Sequence, residues 1–244
     1  MRLSKSWTLT RKEFDVFRRK RYILYSLVAL PIILSLLLPL SLLLTTSSDQ
    51  LSGQVLARLL ESEVSIFIIL AALLPAVVGS YSIIGEKLEK SLEPLLATPA
   101  TDSELLVGKG MAAFIPSIGA TYAGAILFIV VVDALASGRI GYVPLPDWYT
   151  ASVLVLVAPL ACILSVEFNV IISSRVNDVR AAQQLGSLVI LPLLGIFLLG
   201  QTNVLTPDAE DMLVVAGILL IADVLLSFVS RATFQREEIL TKWK

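Results

Sequence analysis

Six long apolar runs, separated by short polar segments, dominate the chain. Each run has roughly 18 to 23 residues, which at about 1.5 Å per helical residue is enough to cross a bilayer. The pattern therefore predicts an all-α membrane protein with six transmembrane helices. The predicted spans lie at about 23–44, 65–84, 111–132, 150–172, 183–200 and 212–230, and together they make a transmembrane domain over residues 23–230.

The segment before the first span, residues 1–22, is basic and amphipathic. Phe14 and Phe17 share its apolar side, so we expect a helix that lies in the membrane interface. An ordinary solvated basic leader is the alternative. Thr10 and Glu13 have the spacing of a capping box, which predicts that this helix starts at Thr10.

The remaining connections are short and polar. Leucines at helical spacing within residues 45–64 predict a short surface helix in the first outer loop. Asp133 is expected to end the third span, and residues 173–186 are read as a second polar loop on the N-terminal side of the membrane. Residues 231–244 form a charged tail.

Composition agrees with a membrane protein, since the chain is 56% hydrophobic and 16% charged, with a mean hydropathy of +0.85. Soluble domains are about a quarter charged. There is no histidine, which excludes histidine-based catalysis and most metal sites, so we predict no catalytic residue and no metal. Cys162 is alone and is expected to be a small core residue.

Basic residues predict the orientation. With the N-terminus in the cytosol, 17 of the 19 Lys and Arg residues fall on cytosolic segments, and only Arg58 and Arg139 fall outside. Because basic residues favour the cytosolic side, we expect both termini in the cytosol of a multi-pass protein of the cell membrane. A net charge of −1 favours no nucleic acid partner.

The loop at residues 85–110 carries eight charges between two apolar spans. Glu86 and Lys90 are an i,i+4 pair, so the second span is expected to continue as a helix into the cytosol. Thr101 and Glu104 form a second capping box, which predicts a helix that continues into the third span.

Leu92, Leu95 and Leu96 place an apolar patch between the two helical parts of this loop. Such a patch on a cytosolic hairpin needs a cover, either the chain's own N-terminal helix or a groove on another protein. The residues alone leave both possibilities open.

This loop resembles the signature region of ABC-2-type transporter permeases, the membrane subunits of ABC exporters. The Arg11-Lys12-Glu13-Phe14 stretch is similar to the elbow helix that precedes the first span in that family. The residues that carry the loop resemblance are Gly85-Glu86-Lys87, Ser91-Leu92-Glu93-Pro94-Leu95-Leu96-Ala97-Thr98-Pro99, Glu104 and Gly108-Lys109.

The resemblance implies a permease that dimerises with itself or with a similar subunit and docks two ABC ATPase subunits. ATP and Mg would be bound by those partners, because no G-x-x-x-x-G-K-[ST] loop is present here. The short docking helix in the loop is called a coupling helix in such proteins. Its implied contact residues are Glu86, Leu92, Glu93, Leu95, Leu96, Thr98 and Pro99.

Two carboxylates lie within predicted spans, and such residues are functional candidates by default. Glu167 and Asp223 could line a translocation path. The alternatives are that Glu167 pairs with Arg175 and that Asp223 is a hydrogen-bonded packing residue.

The rival function is a channel or secondary transporter without an ATPase partner. Its spans would carry polar stripes, and these spans are uniformly apolar.

Overall fold

A computed structural model of the protein describes residues 3–19, 21–45, 53–88, 101–176, 178–201 and 208–233. All regular structure in these ranges is helical. Two short turns of other helix types interrupt the α-helices, a π-helical turn at Val153–Val157 and a 3₁₀ turn at Ser187–Val189. The α-helices, numbered in chain order, are α1 Leu3–Arg19, α2 Arg21–Thr45, α3 Gly53–Glu63, α4 Ile66–Leu88, α5 Asp102–Ile140, α6 Trp148–Ser152, α7 Ala158–Arg175, α8 Val179–Gly186, α9 Ile190–Gln201 and α10 Ala209–Thr233.

Six helical segments in the described ranges are long and apolar enough to cross a membrane. They match the six predicted spans in order, and the predicted fold class is confirmed. The second of these segments, Gly53–Ser80, contains α3 and most of α4 and is the most enclosed, with 67% of its apolar window buried. Within it, α4 packs against both α7 and α5, so it forms the centre of the bundle.

The third span belongs to a much longer helix than predicted. α5 has 39 residues and is therefore roughly 58 Å long, about twice the thickness of the hydrocarbon core. The prediction that Asp133 ends this span is wrong, because the helix continues to a left-handed cap at Gly141. Asp133 instead accepts a hydrogen bond from the backbone N–H of Leu145 at 3.3 Å.

The predicted loop at residues 173–186 is also mostly helical. α7 continues to Arg175, and α8 begins at Val179. Asp178 caps α8, since its carboxylate accepts a hydrogen bond from the N–H of Ala181 at 2.9 Å. Only three residues, 176–178, therefore separate the two helices.

α3 is present where the sequence predicts a short helix, but it packs into the core. Leu56 and Leu60 on α3 are buried with Val132 of α5. Beside them, Phe67 and Phe128 meet edge to face with ring centroids 5.6 Å apart. This apolar cluster joins α3, α4 and α5 at one end of the bundle.

Helices approach most closely where a glycine faces a hydroxyl-bearing neighbour. Ser35 of α2 donates a hydrogen bond to the carbonyl oxygen of Gly124 in α5 at 2.7 Å. A Cβ atom at Gly124 would lie 2.7 Å from the Cβ atom of Pro31. Ser165 of α7 donates in the same way to the carbonyl oxygen of Ala72 in α4, at 2.5 Å.

The π turn before α7 follows from a proline. In this turn the N–H of Ala158 bonds the carbonyl oxygen of Val153, one residue further back than in an α-helix. The next carbonyl, that of Leu154, would need an N–H from Pro159, which has none. The hydroxyl of Tyr122 in α5 donates to this carbonyl at 3.0 Å and so replaces the missing donor.

We predict that Gly124→Ala destabilises the bundle relative to Gly119→Ala in the same helix. Both substitutions gain the same helix propensity. At Gly119, however, a Cβ atom would meet nothing within 4 Å. The steric conflict with Pro31 should make the Gly124 variant less stable by about 1 to 3 kcal/mol. Thermal unfolding of both variants in detergent measures the difference, and equal midpoints would contradict the packing described here.

Candidate functional site

The N-terminal helix α1 carries a buried stripe that includes polar side chains. Ser6, Thr10, Glu13 and Phe17 follow one another at intervals of four, three and four residues, so they share one face. All four are at least 90% buried. The charged side chains of Arg11 and Lys12 are exposed on the other side. The stripe packs against α5, so the contact joins α1 to the first turns of the long helix.

Two hydroxyl groups of α1 reach backbone carbonyls of α5. Thr10 Oγ1 lies 3.0 Å from the carbonyl oxygen of Gly108 and 2.9 Å from that of Ser6. Ser6 Oγ donates to the carbonyl oxygen of Glu104 at 3.2 Å. The prediction that Thr10 caps the start of α1 is wrong, because α1 begins at Leu3 and the Thr10 hydroxyl is used between helices instead.

Gly108 permits this close approach. A Cβ atom at this position would lie 2.7 Å from Cδ2 of Leu9 and 3.1 Å from the carbonyl oxygen of Ser6. A side chain here would require the Leu9 side chain to move and α1 to shift by a few tenths of an ångström from α5.

An ion pair lies next to this glycine. Lys109 Nζ is 3.1 Å from Glu13 Oε1, and the two side chains are 3% and 5% exposed. Taking both charges out of water is costly, so a buried pair is retained only where the geometry offsets desolvation. The pair joins residues 96 positions apart in the chain, so it fixes the register of α1 on α5.

The start of α5 lies directly beside this contact. The Thr101 hydroxyl accepts a hydrogen bond from the Glu104 N–H at 3.3 Å, and the Glu104 carboxylate accepts one from the Thr101 N–H at 3.1 Å. The predicted second capping box is thus confirmed. We call the set Ser6, Leu9, Thr10, Glu13, Glu104, Gly108 and Lys109 the α1–α5 junction.

The residues predicted to dock an ATPase lie beside the junction in the chain. Glu86 is in the last helical turns of α4, whose continuation beyond the span agrees with prediction. The other six lie outside the described residues, and their roles stay predictions: Leu92, Glu93, Leu95, Leu96, Thr98 and Pro99.

The two intramembrane carboxylates come together at the contact between α7 and α10. Asp223 is 6% exposed, and neither of its carboxylate oxygens has a hydrogen-bond partner among the described residues. It is also near enough to Glu167 for their charges to interact. The interpretation of Asp223 as a hydrogen-bonded packing residue is therefore not supported by the described residues. The alternative that Glu167 pairs with Arg175 stays a prediction.

Two adjacent carboxylates in a low-dielectric interior repel one another, and a proton or a cationic group between them relieves that repulsion. Among the described residues, no group of three or more Cys, Asp and Glu side chains could hold a metal ion. Cys162 is a buried core residue, as predicted.

Sequence reasoning missed the pairing of Glu13 with Lys109. The sequence pattern assigned Glu13 to a local capping box with Thr10, and it assigned Lys109 to the Gly108-Lys109 motif. The available signal was the polar stripe of Ser6, Thr10 and Glu13, which is unusual for a helix face that is meant to contact lipid.

The fold is that of a polytopic membrane protein in which a segment outside the membrane connects directly to long transmembrane helices. The chain belongs to the ABC-2 family of transporter proteins, whose family model matches residues 7–226. It is an ABC transporter permease, which confirms the resemblance found in the sequence, and the family implies an ABC ATPase partner. No curated protein matches the chain.

We predict that Asp223→Leu stabilises the isolated protein, because it removes a buried carboxyl group without a described partner. The expected gain in unfolding free energy is about 1 to 3 kcal/mol. Asp133→Leu is the matched control and should be destabilising, since Asp133 accepts a backbone hydrogen bond. Thermal unfolding in detergent compares the two. A lower midpoint for Asp223→Leu would show that this carboxyl group has a stabilising partner.

Proposed function

We propose that the chain is the permease subunit of an ATP-driven exporter. Two copies, or one copy and a similar subunit, form the translocation path. Each copy couples to a separate ATPase subunit through the segment 85–110. ATP and Mg are bound by the two ATPase subunits, and this chain holds no cofactor of its own.

This proposal rests on the two helices that flank the segment 85–110. α4 continues as a helix to Leu88, and α5 begins at Asp102 with a formed capping box. Residues 89–101 thus connect the ends of two helices that themselves cross the membrane. A force applied to this segment is delivered along stiff helices to the centre of the bundle, where α4 packs against both α7 and α5.

The contact set for the ATPase is the one that the family resemblance implies. Leucines between two helix ends suit the groove-binding mode, in which apolar anchors fill a partner's cleft. The proposed set is Glu86, Leu92, Glu93, Leu95, Leu96, Thr98 and Pro99.

The translocation path is proposed to include Glu167 and Asp223. They lie on α7 and α10, which pack against each other, and carboxyl groups within the membrane are retained mainly where they serve a function such as transport. The bundle is otherwise strongly apolar, which favours an amphipathic substrate moved outward.

The protein is proposed to reside in the plasma membrane with both termini in the cytosol. The 17 to 2 distribution of basic residues supports this orientation. It places the α1–α5 junction and the segment 85–110 on the side where ATP is available. α1 would then lie in the inner membrane interface, with exposed Trp7 toward the headgroups.

We predict that the permease co-purifies with its ATPase subunit and that Leu95→Asp/Leu96→Asp prevents this. Charges in place of apolar anchors should lower the amount of bound ATPase about tenfold or more. Co-expression, affinity purification through the permease and quantification of the bound ATPase provide the measurement.

The control is Tyr142→Asp/Val143→Asp, which adds the same charges at exposed positions in the connection after α5. It should leave the complex intact. If no ATPase binds the wild-type chain, and the Leu95/Leu96 variant behaves like wild type, the coupling proposal is wrong. A channel or secondary transporter then becomes the better interpretation.

Orientation is tested separately, with single cysteines introduced into a Cys162→Ala background. Tyr142→Cys should react with a membrane-impermeant maleimide in intact cells. Asp15→Cys, which is exposed on α1, should react only after permeabilisation. Labelling of Asp15→Cys in intact cells would reverse the proposed orientation.

A further inference from the structure

The end of α1 is followed almost at once by the first span. α1 ends at Arg19 and α2 begins at Arg21. α2 then packs along α5 and is tied to it by the Ser35 hydrogen bond to Gly124. Helix α5 is thus contacted by α1 at Gly108 and by α2 about 24 Å further along its axis.

We propose that Glu13 and Lys109 are positioning residues that make α1 and α5 move as one body during transport. A displacement of the segment 89–101 then reaches α2 through α1, as well as reaching α5 directly. This inference rests on the proposed function, because it assumes that an ATPase moves that segment.

The chemistry of the junction favours a rigid connection. Separating Glu13 from Lys109 would break a buried contact between opposite charges at 3.1 Å, which is strongly unfavourable. The hydroxyl contacts of Ser6 and Thr10 with α5 carbonyls would be lost in the same movement. Sliding of α1 along α5 therefore breaks several polar contacts at once.

The contact between α5 and α4 has a different character. The contacts that join them are apolar and include Phe67 against Phe128 as well as Val78 with Ala112 and Ala113. Packed apolar surfaces can shift by small shear movements without uncovering a charge. The geometry therefore divides the bundle into a unit of α1, α2 and α5 and a unit centred on α4 and α7, with the sliding surface between α4 and α5. The hydrogen bond from Tyr122 to the carbonyl oxygen of Leu154 crosses this division and is a polar contact that the movement must keep or exchange.

Two matched disulfides test this division in a Cys162→Ala background. The first is Leu9→Cys/Gly108→Cys, across the α1–α5 junction, where a Cβ atom at Gly108 lies 3.1 Å from that of Leu9. The second is Gly79→Cys/Ala113→Cys, across the α4–α5 contact, where the two Cβ atoms lie 3.9 Å apart. Disulfides require Cβ atoms about 3.5 to 4.5 Å apart, so both pairs are within reach after a small adjustment.

The complex is reconstituted in proteoliposomes, and the probe is a fluorescent short-chain phospholipid, an amphipathic molecule. We expect the oxidised Leu9/Gly108 crosslink to keep ATP-driven transport of this probe within about twofold of the reduced form, because a crosslink inside a unit that moves as one does not block its movement. The oxidised Gly79/Ala113 crosslink should stop transport, and reduction should restore it, because this bond joins surfaces that slide. The inference is overturned if the first crosslink stops transport reversibly or if the second has no effect.

The ion pair itself is tested by charge replacement in the same complex. Glu13→Gln should lower the number of substrate molecules moved per ATP hydrolysed by about fivefold or more, a typical size for coupling between sites. The exchange Glu13→Lys/Lys109→Glu restores a pair and should recover much of that ratio. Asp15→Asn, an exposed carboxylate on the same helix, is the control and should leave the ratio unchanged.

A purely structural role predicts a different result. Glu13→Gln would then reduce the yield of complex, ATP hydrolysis and transport together, with the ratio of transport to hydrolysis unaltered, and this would contradict the inference. If the wild-type complex hydrolyses ATP but transports nothing, or never forms, the proposed function fails. If the wild-type complex transports normally and Glu13→Gln keeps the same ratio, only the inference fails.

Discussion

Hydrocarbon offers no hydrogen-bond partner to the polypeptide backbone, and the described bundle is shaped by this constraint. Every described segment that is apolar enough to cross the membrane is helical. The single interruption in the fourth span occurs where Pro159 has no N–H, and there Tyr122 supplies a hydroxyl to the carbonyl of Leu154. Polar side chains in the bundle likewise find no partner in hydrocarbon. Several of them therefore donate to helix carbonyl oxygens, which keep a second lone pair after the helical hydrogen bond has formed.

These hydroxyl-to-carbonyl bonds determine where helices lie closest. A short hydroxyl side chain on one helix reaches the backbone of another most easily where a glycine lies at the contact, as at Gly108 and Gly124 of α5. The result is a set of fixed contacts along one very long helix, with α1 at its base and α2 further along. Contacts between α4 and α5 rely on apolar side chains instead, both large, as at Phe67 and Phe128, and small, as at Ala112 and Ala113.

Buried charges occur in two opposite arrangements. Glu13 and Lys109 are a compensated pair at 3.1 Å, which favours a single geometry. Glu167 and Asp223 have the same charge and interact within the bundle, so their environment favours a proton or a cationic group. The first arrangement suits a fixed mechanical contact near the ATPase-docking segment. The arrangement of Glu167 and Asp223 suits a site where the bound proton or cationic group changes during transport.

Much of the fold follows from the sequence alone, because membrane spans and capping boxes depend on residues close together in the chain. Hydropathy predicted all six spans, and the spacing of Thr101 and Glu104 predicted the start of α5. The same local reasoning failed at Thr10, whose capping pattern with Glu13 is overridden by contacts with α5.

The tertiary structure alone decided which polar groups meet. Glu13 contacts Lys109 across 96 positions, and Glu167 lies near Asp223 on another helix. Local spacing carries no information on such encounters, because they depend on which helix faces approach each other. That choice is made by small residues and by the pairing of buried polar groups such as Glu13 and Lys109, and these contacts form only when the whole bundle is assembled.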